Sequence, residues 1–220
     1  MNKSNSENFI QILIERIRRH FADDGSGHDF DHIMRVYRLA VKIAEYEKCD
    51  TSTVAIAALL HDVGDYKLCA NSNDGVYKNI IPFLQDSNLP DKQIEYIVDI
   101  IEKVSFKGNG VKDEVLPIEG QCVRDADRLD AMGCIGIARA FAYGALKGRP
   151  MYDKNEKPKE YNSFNDYKNN NSNTINHFYE KLFLLKGRME TNYGKILAKE
   201  RHAILQAFVS NFILEWEAKK

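Results

Sequence analysis

The sequence predicts an all-α fold in a single domain over residues 1–220, and three observations lead there. Apolar residues recur three and four apart in nearly every long segment, the spacing that gathers them on one face of a helix. No run shows the apolar–polar alternation of a half-buried strand. The segment VAIAALLHDVG (54–64) is apolar almost all round, as a helix buried at the centre of a helical core would be.

Each element can be justified in turn. From about residue 7, Ile10, Ile12, Leu13, Ile14 and Ile17 mark a first amphipathic helix. Gly25 and Gly27 punctuate it, and Asp29 or Asp31 stands ready to cap the next. There His32, Val36, Leu39 and Ile43 are spaced four, three and four apart, so one inward face holds them all. After the central helix comes one over about 74–86; Pro90 opens another that runs to about Val104. Pro117 starts a stretch that continues through CVRDADRLDAMG (122–133) into IGIARAFAYGAL (135–146). Residues 148–173 are polar, contain Pro150 and Pro158, and end in NNNSN. This is a long connection of the kind that serves as a lid. Helices over about 174–187 and 191–217 close the chain.

Bulk composition narrows the function classes. Hydrophobic residues make up 44% and charged residues 29%, a globular balance, and a formal net charge of -1 gives no field to gather nucleic acid. The start is polar and then amphipathic, unlike a secretory signal, and no apolar run approaches the roughly 20 residues of a membrane span. The four cysteines (Cys49, Cys69, Cys122, Cys134) form no C-x-x-C pair and read as reduced thiols. The expected location is the cytoplasm, with no membrane partner. The amphipathic first and last helices offer faces for a homodimer.

The chemistry concentrates at His61 and Asp62, which end an otherwise apolar helix. A carboxylate buried there needs a cation or a dense shell of hydrogen bonds. His32 lies on the inward face of an earlier helix. Asp127 belongs to a run with three aspartates in six residues (Asp125, Asp127, Asp130), a clustering that calls for positive charge among them. Two histidines and two carboxylates form a mixed nitrogen–oxygen donor set. It suits one divalent ion: Mn²⁺ first, with Co²⁺, Ni²⁺, Fe²⁺ or Zn²⁺ as alternatives and Mg²⁺ less favoured.

In the order H…HD…D, the segments HIMRV (32–36), HDVGD (61–65) and DADRLD (125–130) resemble the HD-domain phosphohydrolase superfamily. GHDFDHIMRV, ALLHDVGDYK, VRDADRLDAMGCIGIARAFAYG, KGRPMY, INHFYEKLFLLK and KERHAILQAF extend the likeness to its small stand-alone bacterial branch. The resemblance implies an all-α HD bundle: a metal-binding core over about 20–147, the polar loop 148–173, and C-terminal helices over 174–217. Its metal ligands match His32, His61, Asp62 and Asp127. The six histidines leave none between residues 62 and 176, where dinuclear relatives carry extra ligands, so a mononuclear site is expected.

The implied activity is hydrolysis of a small phosphate substrate by a metal-activated water. The expected reaction is pyrophosphohydrolysis of nucleoside or deoxynucleoside triphosphates. Nucleoside monophosphatase and guanosine-alarmone hydrolase are alternatives within the class, and a non-catalytic HD regulatory or binding module is the rival from another. Asp65, three residues after Asp62, is the first choice for general acid or base, and His28, four before His32, is the second. Lys67 and Arg128 are the first phosphate-binding candidates, Lys107 and Arg149 the next, and His177 is a candidate to line the site.

Overall fold

The computed structural model describes residues 3–22, 29–63, 75–85, 87–104, 113–159 and 172–220, and every regular element among them is helical. By packing, the chain forms two compact units: Met1–Ser105 with Glu114–Ala126, and Phe106–Asp113 with Asp127–Lys220.

In the first unit, helix α1 (Lys3–His20) buries Phe9, Ile10, Leu13, Ile14 and Ile17, while Ile12 falls on its outer face. Helix α2 (Phe30–Glu47) is capped by Asp29 rather than Asp31: the Asp29 Oδ1 accepts from the His32 amide at 2.8 Å. Its inward stripe is His32, Ile33, Val36, Ala40, Ile43 and Ala44; Leu39 is only half-buried because Ala40 occupies the centre of that face.

Helix α3 (Thr51–Leu60) begins at Asp50, whose carboxylate accepts from the Ser52 amide at 3.0 Å and the Thr53 hydroxyl at 2.6 Å. Every residue from Thr53 to Leu60 is buried. A helix without a polar face is stable only when packed on all sides, and α1, α2 and α5 (Asp91–Val104) all lie against it. Burying each of Val54, Ile56, Leu59 and Leu60 contributes roughly 1.5–3 kcal/mol. Helix α4 (Gly75–Leu84) packs on α5.

Among the described residues Cys49, Cys122 and Cys134 are free thiols, and Cys69 lies outside the described residues. Cys49 and Cys122 bring their Sγ atoms to 3.7 Å, and burial pushes both thiols upward in pKa.

Helix α6 spans Ile118–Asp130. It ends before Gly133, whose φ of +66° lies in the left-handed region that favours glycine, and helix α7 (Gly133–Leu146) starts there. Helix α8 (Thr174–Glu180) meets α7 where a Cβ on Gly144 would come within 2.4 Å of the Thr174 hydroxyl, so only glycine fits.

One helix was expected over 174–187, but the backbone leaves the α-helical region at Lys181 (φ -140°, ψ -59°). A 3-10 helix, Leu182–Arg188, follows. Three residues per turn stack Leu182 on Leu185, both buried, so the tighter winding matches the core on that side. Phe178 is buried with them. Helix α9 (Asn192–Trp216) completes this unit, stacking Phe208 against Phe178 with ring centroids 5.7 Å apart.

The polar connection is built into the fold over its described part. The Thr174 and Ile175 amides, which α8 itself leaves without acceptors, donate to the Pro150 and Met151 carbonyls at 2.9 and 3.0 Å. The Glu156 carboxylate accepts from the amide and the side chain of Asn173, and the Glu156 carbonyl from Asn176 Nδ2. No single helix among the described residues is long and apolar enough to cross a membrane.

Candidate metal centre

Local folding delivers three side chains to one place in the first unit. The Asp29 cap fixes the first turn of α2, so His32 enters the core fully buried. The apolar α3 ends at Leu60, and His61 and Asp62 follow immediately, both buried.

The His61 Nδ1 lies 2.7 Å from the Ala58 carbonyl. A carbonyl only accepts, so Nδ1 carries the proton and the Nε2 of a neutral ring presents its lone pair. That Nε2 lies 3.4 Å from the Asp62 Oδ2, and the His32 Nε2 reaches the same oxygen at 3.3 Å. The two rings meet edge to face, 5.4 Å apart. Asp127 belongs to α6. A carboxylate oxygen and a ring nitrogen from each of His32 and His61 all lie within 4.8 Å of one another.

This arrangement fits a divalent cation. Donors bound to one ion at about 2.1 Å stand about 3 to 3.5 Å from each other, the spacing that His32, His61 and Asp62 already show. The Ala58 carbonyl also plays the part of the outer partner that metal-ligating histidines require to fix their tautomer. Sequence reasoning missed this partner, because a backbone carbonyl three residues back carries no residue-type signal.

The structure thus gathers His32, His61, Asp62 and Asp127. His28, Asp65, Lys67 and Lys107 lie outside the described residues. Arg128 is 3% exposed, and its guanidinium is engaged by Asp113 at 2.7 Å and by the Arg188 carbonyl. Asp113, Arg188 and Glu190 are residues that the sequence gave no reason to connect with it. Arg139 pairs with Asp130 at 2.7 Å, so part of the positive charge that the aspartate run demands comes from arginine.

Arg149 and His177 are neighbours in the second unit. Burial first, then the charges of Lys181 and Arg149, push the His177 pKa down to about 3. An unfolded chain takes up this proton near pH 6.5. Between those values the unfolded state binds more protons, so stability falls as pH drops from about 6.5 toward about 3. Replacing His177 by Asn is expected to flatten that part of the profile, measured by denaturant unfolding at pH 7, 6, 5 and 4. An equal slope in wild type and variant would contradict it.

A helical frame carrying H, HD and D in this order, with their side chains brought together, is that of an HD domain. The HD-domain family model matches residues 29–132, and the chain belongs to the HD-domain phosphohydrolase superfamily. YpgQ of Bacillus subtilis is 37% identical over 191 residues, covering 85% of this chain and 83% of the relative. A Lactobacillus plantarum crystal structure superposes with TM-score 0.83 at 38% identity, covering 96% of this chain and 98% of its own. An HD-superfamily hydrolase from Bacillus thuringiensis gives 0.77 at 36%, covering 97% and 99%. The crystal structure of YpgQ in complex with ADP gives 0.73 at 31%, covering 94% and 95%.

Proposed function

We propose that the protein is a metal-dependent nucleotide phosphohydrolase that releases pyrophosphate from nucleoside or deoxynucleoside triphosphates. The observation that carries this reading is one carboxylate oxygen, on Asp62, shared at 3.3 and 3.4 Å by two buried imidazoles, with Asp127 beside them. The ADP held by YpgQ supports a nucleotide as substrate.

His32, His61, Asp62 and Asp127 would hold the ion, with Mn²⁺ favoured. When bound, it supplies Lewis acidity toward phosphoryl oxygens and lowers the pKa of coordinated water. The protein's own groups do the rest. Ala58 fixes the His61 tautomer, and burial of His32, His61 and Asp62 keeps bulk water from competing for their donor atoms. Asp65 is the proposed general acid or base, with His28 as the second choice. Lys67, Lys107 and Arg149 are the proposed phosphate contacts and His177 an uncharged one. Arg128 is the remaining proposed phosphate contact; its guanidinium also meets Asp113 and the Arg188 carbonyl.

The test is a panel of nucleoside mono-, di- and triphosphates and guanosine alarmones. Metal-free protein would be resupplied with Mn²⁺, Co²⁺, Ni²⁺ or Mg²⁺, with phosphate and pyrophosphate assayed separately. Metal-dependent pyrophosphate release from triphosphates is the expected result. Orthophosphate from monophosphates alone would make it a monophosphatase. Stoichiometric metal binding without turnover on any substrate would favour a binding module.

A further inference from the structure

We infer that Arg128 is a positioning residue for Asp127, acting through the rotation of the last turn of α6. The inference rests on the reading of Asp127 as a metal ligand.

Successive residues of a helix point about 100° apart around its axis. Holding the side chain at 128 therefore dictates the direction taken by the side chain at 127. Arg128 is held from several directions: Nη2 lies 2.7 Å from the Asp113 Oδ1, Nη1 donates to the Arg188 carbonyl, and the Glu190 carboxylate stands 3.8 Å away. Asp113 precedes α6 in the chain, whereas Arg188 and Glu190 follow it at the end of the 3-10 helix and just beyond. The guanidinium joins these two stretches across the helix.

Two other arginines serve the same turn. Arg201 donates to the Leu129 carbonyl, and Arg139 pairs with Asp130. Positive charge at the C-terminal end of a helix also suits its dipole and its unsatisfied carbonyls. Arg128 differs from both in being next to Asp127, deeply buried and bound to a carboxylate and a carbonyl at once. A planar fork can meet both partners together, and the ammonium of lysine cannot reproduce that geometry.

The test compares Arg128→Lys, Asp113→Asn and, as a neighbouring control, Arg139→Lys. Mn²⁺ affinity is measured by calorimetry on metal-free protein, alongside the thermal unfolding of that same metal-free protein. Arg128→Lys and Asp113→Asn are expected to bind Mn²⁺ at least tenfold more weakly, with Arg139→Lys close to wild type. A lowered unfolding temperature with unchanged Mn²⁺ affinity in both variants would overturn the inference, leaving Arg128 a purely structural residue. If Arg128→Lys does not fold, Asp113→Asn decides the matter alone. Asp127→Ala separates the two levels: full Mn²⁺ binding by that variant would sink the ligand reading itself, whatever Arg128 does.

Discussion

Replacing His61 by alanine is expected to strip the protein of its metal and lower turnover by at least about a thousandfold, equivalent to roughly 4 kcal/mol in the activation barrier. The imidazole contributes the lone pair opposite Asp62, and its orientation is fixed by the Ala58 carbonyl. Without it, Asp62 keeps the His32 ring at 3.3 Å. Truncation should cost the metal-free fold much less, on the order of 1 kcal/mol, because the ring is one of many buried groups and leaves a small void. Metal content by elemental analysis, unfolding of metal-free protein and steady-state kinetics separate these effects. A variant that retains stoichiometric metal and activity would show that His61 is a core histidine and no more.

The largest stability effect outside the metal centre is expected at Arg124. Its side chain is fully buried, and its guanidinium donates to the Glu114 carbonyl at 2.8 Å and the Lys103 carbonyl at 2.6 Å. Lys103 belongs to the last turn of α5, where carbonyls lack helical donors, and Glu114 lies on the approach to α6. Arg124→Ala therefore removes the donor from two carbonyls and leaves a cavity the size of a long side chain. A loss of about 3–4 kcal/mol is expected, or a fall of roughly 6–16 °C in unfolding temperature for a chain of this length. Chemical denaturation of metal-free protein measures it, and an unchanged midpoint would show that other packing holds the end of α5.

Much of this was legible in the residues. Helices α1 to α7 follow from apolar periodicity, and Asp29, one of the two caps offered, begins α2 because a short carboxylate satisfies a first-turn amide. The same logic marks His32, His61, Asp62 and Asp127 as candidates, since a polar residue directed into an apolar core needs a reason to be there. For Arg128, residue type reveals a charge and not its partner. Asp113 is fifteen positions away, and only the fold brings it within 2.7 Å. The break at Lys181 was hidden for a related reason: the pattern of Phe178, Leu182 and Leu185 suits both windings, and neighbouring helices decide between them.

The pinned segment after α7 bears on how the second unit assembles. A helix as short as α8, seven residues long, closes too few hydrogen bonds of its own to persist in isolation. Its leading amides are satisfied by Pro150 and Met151, and its flank by Glu156, all far back along the chain. In kinetic terms α8 behaves less like a local helix than like a strand waiting for a distant neighbour. Its formation carries the entropy of closing that stretch of chain, and it becomes stable only when both ends of the stretch have arrived.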